Sequence, residues 1–409
     1  MPIIVPKAIF DNAVYLKKSK PPPHVQATFH QDYQYAVNFL LSYKHNEQTF
    51  KSFRREIERF SQWAWFIAKK SITAINREKI ETYLAFCQKS PASWIGIKNV
   101  ARFTNKNGKR IPNPEWCPFV ASVSKSAHNR GVKPKRDKYS LSEKGFREIL
   151  TILNCFYNFL IQEDITDINP ILQIRQKNRF YRKQQGKPKI RRISELQWQY
   201  VIEAAEQMAK QDADQHQRTL FIISILYSLY LRVSELAASK RWTPKMNDFA
   251  KDHDGNWWFT TVGKGNKQHL ISVSDSTLNA LKHWRKHLKL SPALPTPNDD
   301  SPLIPKLHSN NEPITDTRHI RRIVQTCFDE AIYNLCEHNL KEDAAALAQA
   351  TVHWLRHTGI SDDVKIRPRE HVRDDAGHSS SSITDKYIDI ELRERHATAK
   401  KKLINKDLN

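Results

Sequence analysis

A chain of 409 residues with 66 Lys and Arg against 43 Asp and Glu carries a formal charge of +23 and a pI near 9.7. Its length suits two or three domains of about 100 to 200 residues each, and 39% hydrophobic with 10% aromatic content excludes a disordered polyelectrolyte. The charge favours polyanions, nucleic acid first, because every phosphate neutralised releases condensed counterions.

The first 25 or so residues, with Pro21, Pro22 and Pro23 in a row, read as an extended arm over residues 1–30. From Thr49 onward, Phe50, Phe53, Ile57, Phe60, Ala64 and Ile67 recur at spacings of three and four, the mark of one helix face. Asn76 suits the cap of a second helix carrying Ile80, Tyr83 and Leu84. Ser140 with Glu143 reads as a capping box before a third, whose apolar residues include Phe146, Ile149, Leu150, Leu153, Phe156 and Tyr157. Together these form a small helical domain over residues 31–174. Between its second and third helices, Ile95 to Asp137 is rich in Asn, Gly, Pro, Lys and Arg and reads as an inserted loop region of low regularity. Such an insertion is either a solvated excursion or an arm that tracks a DNA backbone.

Residues 175–192 hold nine Lys or Arg among eighteen residues and no acid, and Gly186 and Pro188 argue against a continuous helix. This is a basic interdomain linker whose Arg175, Lys177, Arg179, Arg182, Lys183, Lys187, Lys189, Arg191 and Arg192 are candidate phosphate contacts. A second domain, residues 193–390, opens at Ser194, an N-cap with Gln197 at the capping-box position, on a helix through Met208. Arg218 to Leu231 is almost continuously apolar and therefore central. Trp257–Val262 and His269–Val273 read as a hairpin turning at Gly263–Asn266. Helices follow over Asp275–Lys289, Thr317–Leu335 and Ala344–His357, and a charged tail over residues 391–409.

Bulk exclusions narrow the chemistry. Leu220–Leu231, the most apolar window, is too short for a bilayer, which needs about 20 residues. No secretory signal is visible, and Cys87, Cys117, Cys155, Cys327 and Cys336 make no C-x-x-C pair, so neither a disulfide framework nor a structural zinc site is suggested. A reducing, cytoplasmic, nucleoid-associated setting in a prokaryote-like cell is the expectation, with no membrane and no cofactor.

Three segments place polar groups where burial or a tight turn is expected. Arg232, following the apolar run, keeps its charge and needs a partner; Glu235 either holds it or pairs elsewhere and leaves it for an anion. The turn Gly263-Lys264-Gly265-Asn266-Lys267 projects lysine from a hairpin, suited to a phosphate or a leaving oxygen. His353 and Arg356 share a helical face and can converge on one anion. His357, one turn from His353, raises a metal alternative, but H-E-x-x-H is absent and no metal is expected. His378 and Tyr387 follow. Tyrosine is a weak nucleophile at a pKa near 10, and neighbouring cations favour its phenolate. Two arginines can grip the non-bridging oxygens of a phosphodiester, and lysine or histidine can move the proton.

Read together, Leu231-Arg232-Val233-Ser234-Glu235-Leu236, Gly263-Lys264-Gly265-Asn266-Lys267, His353-Trp354-Leu355-Arg356-His357-Thr358 and Gly377-His378-Ser379-Ser380 with Tyr387 beyond it resemble the boxes of the tyrosine recombinase and phage integrase family, in the family's order. The resemblance covers Ser194 to Asp389 and, more loosely, the preceding helical domain. It implies a mainly α fold with a small β-sheet or hairpin in the catalytic domain, an N-terminal core-binding domain, and a clamp on duplex DNA. It implies site-specific strand exchange through a 3′-phosphotyrosine and a Holliday junction within a homo-tetramer, with accessory DNA-bending or partner recombinase proteins in some systems. Arg232, His353 and Arg356 would bind the scissile phosphate and Lys264 would protonate the 5′-oxygen. His378 would assist, Tyr387 would take the 3′-phosphate, and Glu235 would support the site from behind. Lys267 lies close enough to Lys264 to compete for the general-acid role and is a further DNA-contact candidate. By the same analogy the tail packs on a neighbouring protomer. Asp362 to Asp375 is more polar than the apolar helix the family places there. Two other readings are a type IB topoisomerase-like relaxing enzyme and a DNA-binding accessory protein with a retired active site.

Overall fold

The computed structural model describes residues 5–172, 174, 191–263, 266–308, 311–378 and 399–400. The chain divides into two compact units, Met1–Gly186 and Lys187–Asn409. The fold is mainly α-helical with small β-sheets, and no helix among the described residues is long and apolar enough to cross a membrane.

In the first unit, α1 (Ala13–Leu16) is capped by Asn12, and the segment expected to be an extended arm instead enters the core through Phe10, Leu16 and Val25. Apolar side chains spaced along it gain more from burial than the prolines lose by interrupting helix. α2 (His30–Ser42) packs on α3 (Glu47–Gln62), which Asn46 caps by accepting from the Thr49 N–H at 3.2 Å. α3 runs into a π turn over Trp63–Ala68, whose wider repeat breaks the three-and-four spacing. Ile67, expected on the buried face, is therefore 42% exposed, whereas Phe50, Ile57, Phe60 and Ala64 are buried. Asn76 caps α4 (Arg77–Gln88), burying Ile80, Tyr83 and Leu84.

Residues 95–137 carry more regular structure than their composition suggests. β1 (Ile95–Gly96) pairs in parallel with β4 (Phe119–Val120), and between them β2 (Phe103–Lys106) and β3 (Lys109–Pro112) form an antiparallel hairpin. Asn107 and Gly108 turn it at φ 49° and 73°, the left-handed pair that a two-residue hairpin requires. Arg110 pairs with Asp11 and Arg102 with Glu58, fixing its base. After the short α5 (Lys125–Asn129), α6 (Glu143–Gln162) buries all six of its expected apolar residues. Its N-cap is Ser142, accepting from the Gly145 N–H at 3.2 Å, rather than Ser140; helical geometry begins two residues later than the capping-box pattern implies.

In the second unit, Ser194 and Gln197 form the expected reciprocal capping box of α7 (Glu195–Gln211), at 3.2 and 3.0 Å. α8 (Ala213–Ser228) is central, packing on α7, on α10 (Asp275–His287) and on α13 (Val352–Asp363). It stops at Ser228, earlier than the apolar run, because Tyr230 turns left-handed at φ 51° before the one-turn α9 (Val233–Leu236). β5 (Phe249–Lys251), β6 (Trp257–Val262) and β7 (Gln268–Ser272) make an antiparallel sheet in which Thr261 faces His269 and Phe259 faces Ile271. α11 (Thr317–Glu337) and α12 (Lys341–Leu347) complete the core around Ile222, Leu226, Leu281, Phe328 and Leu355. The single helix expected over 344–357 is two. Thr351, extended at φ −124°, breaks it, so His353 falls in the first turn of α13. α14 (Arg369–Asp375) ends just before Gly377.

Candidate functional site

α13 approaches α8 closely because Gly359 has no side chain. A Cβ there would lie 2.1 Å from the Tyr227 carbonyl oxygen, a contact no other residue type could make without displacing backbone. The Thr358 hydroxyl, one residue earlier, accepts from the Ile193 N–H at 3.0 Å and ties α13 to the start of the unit. This seating puts Arg356 inside the protein, 2% exposed. Its guanidinium donates to the backbone carbonyls of Tyr230 and of Ala376, the latter at 2.5 Å, and lies 3.2 Å from His378 Nε2. An arginine left without such acceptors would be costly at this depth. Here its planar fork joins the loop after α8 to the loop after α14.

Arg232 sits at the N-cap of α9. Its Nη1 is 2.7 Å from Glu235 Oε1, and its backbone N–H donates to Glu235 Oε2 at 2.8 Å. The glutamate side chain is 2% exposed and the arginine side chain 31%, so the carboxylate anchors a guanidinium that still meets solvent. Of the two options open from the sequence, Glu235 holds Arg232 rather than pairing elsewhere.

Positive charge crowds the histidines. His378 is pushed down to about 4 by burial, then by Arg356 and Arg232. His357 also falls to about 4, through burial, then His353, Arg356, Arg191 and His378. Desolvation, then Arg356, Arg232 and Arg191, lower His353. Neutral imidazoles beside two guanidiniums accept protons reluctantly until an anion arrives. The His353 and His357 rings meet edge to face at 4.4 Å; no group of three or more His, Cys, Asp or Glu among the described residues is placed to hold a metal.

The unexpected polarity of residues 362–375 has a structural cause. Arg367 donates to Asp375 at 2.5 Å, to Ser272 Oγ at 2.9 Å, to the Tyr230 hydroxyl at 3.0 Å and to Asp363 at 3.2 Å. Asp375 also accepts from the Ser272 N–H and hydroxyl, joining α14 to β7. The Tyr227 hydroxyl donates to Asp362 at 3.0 Å, and that of Tyr230 to Asp363. The network therefore reaches from behind to Tyr230 and to the residue before Ala376, whose carbonyls hold Arg356.

Of the residues singled out in the sequence, Arg232, Glu235, His353, Arg356 and His378 lie in one neighbourhood, and Arg191 adds its field to His353 and His357. Lys264, Tyr387, Arg175, Lys177, Arg179, Arg182, Lys183, Lys187 and Lys189 lie outside the described residues. Arg192 is half-buried and acts electrostatically on Asp362, whereas Lys267 is exposed at the hairpin turn. The sequence reading missed His269. Strand alternation could have found it: Ile271 points inward, so His269 shares its face.

Among proteins of known family, the tyrosine recombinase XerD of Rickettsia bellii is 28% identical over 143 residues, 35% of this chain and 43% of that protein. The chain thus spans less than half the length of that relative in the match. The tyrosine recombinase XerC of Staphylococcus carnosus is 24% identical over 317 residues, 73% of this chain and 91% of that protein. A solved structure of the XerH site-specific recombinase bound to palindromic difH substrate, a post-cleavage complex, aligns over 95% of this chain and 92% of that one. The TM-score is 0.53 at 13% identity, a likeness of fold. The chain is thus similar in sequence to tyrosine recombinases and shares the fold of one. No protein-family model matches it. In this chain the segments carrying Arg232, Arg356 and Gly377–His378 converge through the ends of α8, α13 and α14, three elements far apart in sequence.

Proposed function

We propose that this protein is a site-specific DNA recombinase that cleaves and rejoins strands through a 3′-phosphotyrosine on Tyr387 and passes through a Holliday junction, working as a homo-tetramer on duplex sites. The observation that carries the reading is the convergence of Arg232, Arg356, His353 and His378 on one cationic pocket, with Glu235 behind Arg232. Phosphoryl transfer asks for positioning and for positive charge around the phosphate rather than for elaborate covalent chemistry. Arg232 and Arg356 would grip the non-bridging oxygens, helped by the N-terminal end of α13.

In the proposed cleavage step the Tyr387 oxygen bonds to phosphorus and the bond from phosphorus to the 5′-oxygen breaks. The phenol proton passes to a neutral histidine of the pocket, and a lysine of the Gly263–Lys267 turn protonates the departing oxygen. Rejoining reverses the transfers. Lys264 is the first choice for the acid and Lys267 the second. The basic linker, Arg175 to Arg192, would follow phosphates along the duplex.

The test begins with duplexes selected for binding from a randomised pool. These are nicked near the cleavage point, incubated with the protein and resolved on denaturing gels. A protein-linked fragment that vanishes in Tyr387→Phe while binding persists supports the reading; an undiminished adduct removes Tyr387. Relaxation of an arbitrary plasmid without partner exchange would favour a topoisomerase instead.

A further inference from the structure

His269 on β7 is a polar group of this pocket to which the proposed chemistry gives no task. Its half-buried ring lies between two glycines. A Cβ on Gly263 would come within 3.3 Å of His269 Cε1 and 3.4 Å of Glu235 Oε1. One on Gly377, itself at φ 59°, would come within 3.1 Å of His269 Nε2. Bulkier residues at either position would displace the ring.

Its two nitrogens face different surroundings. Nε2 is buried and makes no hydrogen bond. The Lys267 backbone lies near enough to the ring to favour its charged form, against the larger effect of burial. The Lys267 carbonyl itself accepts from the Gly263 N–H at 2.8 Å and closes the turn. The imidazole thus packs between the lysine-bearing turn at Gly263 and the backbone at Gly377 that leads into His378. Three residues on, Ser272 binds Asp375 and fixes β7 to the end of α14.

We infer that His269 is a positioning residue for protonation of the leaving 5′-oxygen: its ring sets the distance between the Gly263–Lys267 turn and the Gly377–His378 segment, and so aims the turn's lysine at the phosphate. The inference rests on the strand-cleavage reading and adds a residue to it. Removing the ring loosens the acid and leaves the phosphate-gripping arginines in place.

The experiment compares two nicked duplexes of one sequence, one with an ordinary phosphodiester and one with sulfur replacing the bridging 5′-oxygen. A thiolate leaves without needing a proton, so the second substrate bypasses the acid. General acids contribute about 100- to 10,000-fold. For a misaimed acid, His269→Ala should therefore slow adduct formation on oxygen about tenfold or more. On sulfur the rate should stay close to wild type, with duplex affinity unchanged. His269→Asn, whose planar amide keeps part of the bulk between Gly263 and Gly377, should recover part of the oxygen rate and guards against a variant that merely misfolds. Equal losses on both substrates, or none on oxygen, would overturn the inference. Wild-type protein that forms an adduct on neither would instead overturn the strand-cleavage reading.

Discussion

Arg356 donates its guanidinium N–H to the backbone carbonyl of Tyr230, 126 residues away, and that carbonyl is presented by a tyrosine in the left-handed region. The sharp exit from α8 thus creates the acceptor that keeps a buried arginine at the site. The planar fork spans the Tyr230 and Ala376 carbonyls together, which one ammonium cannot do. Arg356→Lys should therefore lower unfolding free energy by about 2 kcal/mol, the cost of leaving a buried acceptor unpaired. It should also cut adduct formation about a hundredfold or more. Urea unfolding and the nicked-duplex assay read the two effects separately. Retained activity would mean that charge alone suffices at position 356.

A second expectation concerns the network behind this arginine. Asp375, 5% exposed, accepts from Arg367 and from Ser272, so Asp375→Ala strands the Arg367 charge and frees α14 from β7. Breaking one side of a buried ion pair costs about 3 to 5 kcal/mol. Because Arg367 also reaches Asp363 and is partly solvated, the lower end applies here, about 3 kcal/mol. Replacing both partners with apolar residues, Arg367→Met with Asp375→Leu, should recover part of it, since the more deeply buried carboxylate goes with its cation and Asp363, which loses Arg367, keeps the Tyr230 hydroxyl. Denaturation midpoints of the two single variants and the double give the coupling directly. Additive losses would show that the pair does not act as a unit.

These relationships mark how far the sequence reaches. Asn76, the Ser194–Gln197 box and the β6–β7 hairpin were legible because each is a local pattern with a local cause. The gathering of Arg232, Arg356 and His378 was legible through the family's boxes, though not why they meet, which depends on Gly359 admitting the Tyr227 carbonyl. Other features depend on distant partners. Phe10 and Leu16 enter a core built from later helices, a π turn rotates Ile67 outward, and Thr351 divides a run of good helix formers. The polarity of 362–375 looked anomalous because its partners, Tyr227, Tyr230 and Ser272, lie about 90 to 140 residues upstream.

Stability of the second unit should depend on pH through its histidines. His357 and His378, ordinarily near 6.5, are held at about 4, burial being the largest cause for each, and His353 and His269 are lowered too. A base with a depressed folded pKa binds fewer protons folded than unfolded between those values. Its contribution is therefore full above about 6.5 and lost as pH falls toward about 4. Asp248, raised to about 6 by burial, opposes this over part of the window, because its contribution fades as pH rises. Asp362, also raised by burial, acts in the same sense as Asp248, but five lowered histidines, His319 among them, against these two carboxyls leave a net loss on acidification. Urea midpoints at pH 7.5, 5.5 and 4.5 should fall in order, and His378→Gln should make the fall shallower. An unchanged slope in that variant would remove His378 from the titrating set.

The hairpin inside residues 95–137 leads to an expectation about DNA affinity. That stretch holds ten Lys or Arg against two acids, and Lys106 and Lys109 stand exposed on either side of the Asn107–Gly108 turn. Arg110 is tied to Asp11, and its guanidinium carbon lies 4.8 Å from the Tyr15 ring centroid, so the base of the ribbon is fixed while its tip is left to solvent. A two-stranded ribbon of this kind fits the major groove, where the tip lysines would reach phosphates. Each phosphate contact adds about 0.9 to the slope of log affinity against log salt. Lys106→Ala with Lys109→Ala should therefore reduce that slope by about 1.8 and weaken binding alike on all sequences, since phosphates carry no base identity. Filter binding or fluorescence anisotropy across a salt series measures it. A slope equal to wild type would mean that the tip stays in solvent, and an altered sequence preference would mean that it reads bases as well as backbone.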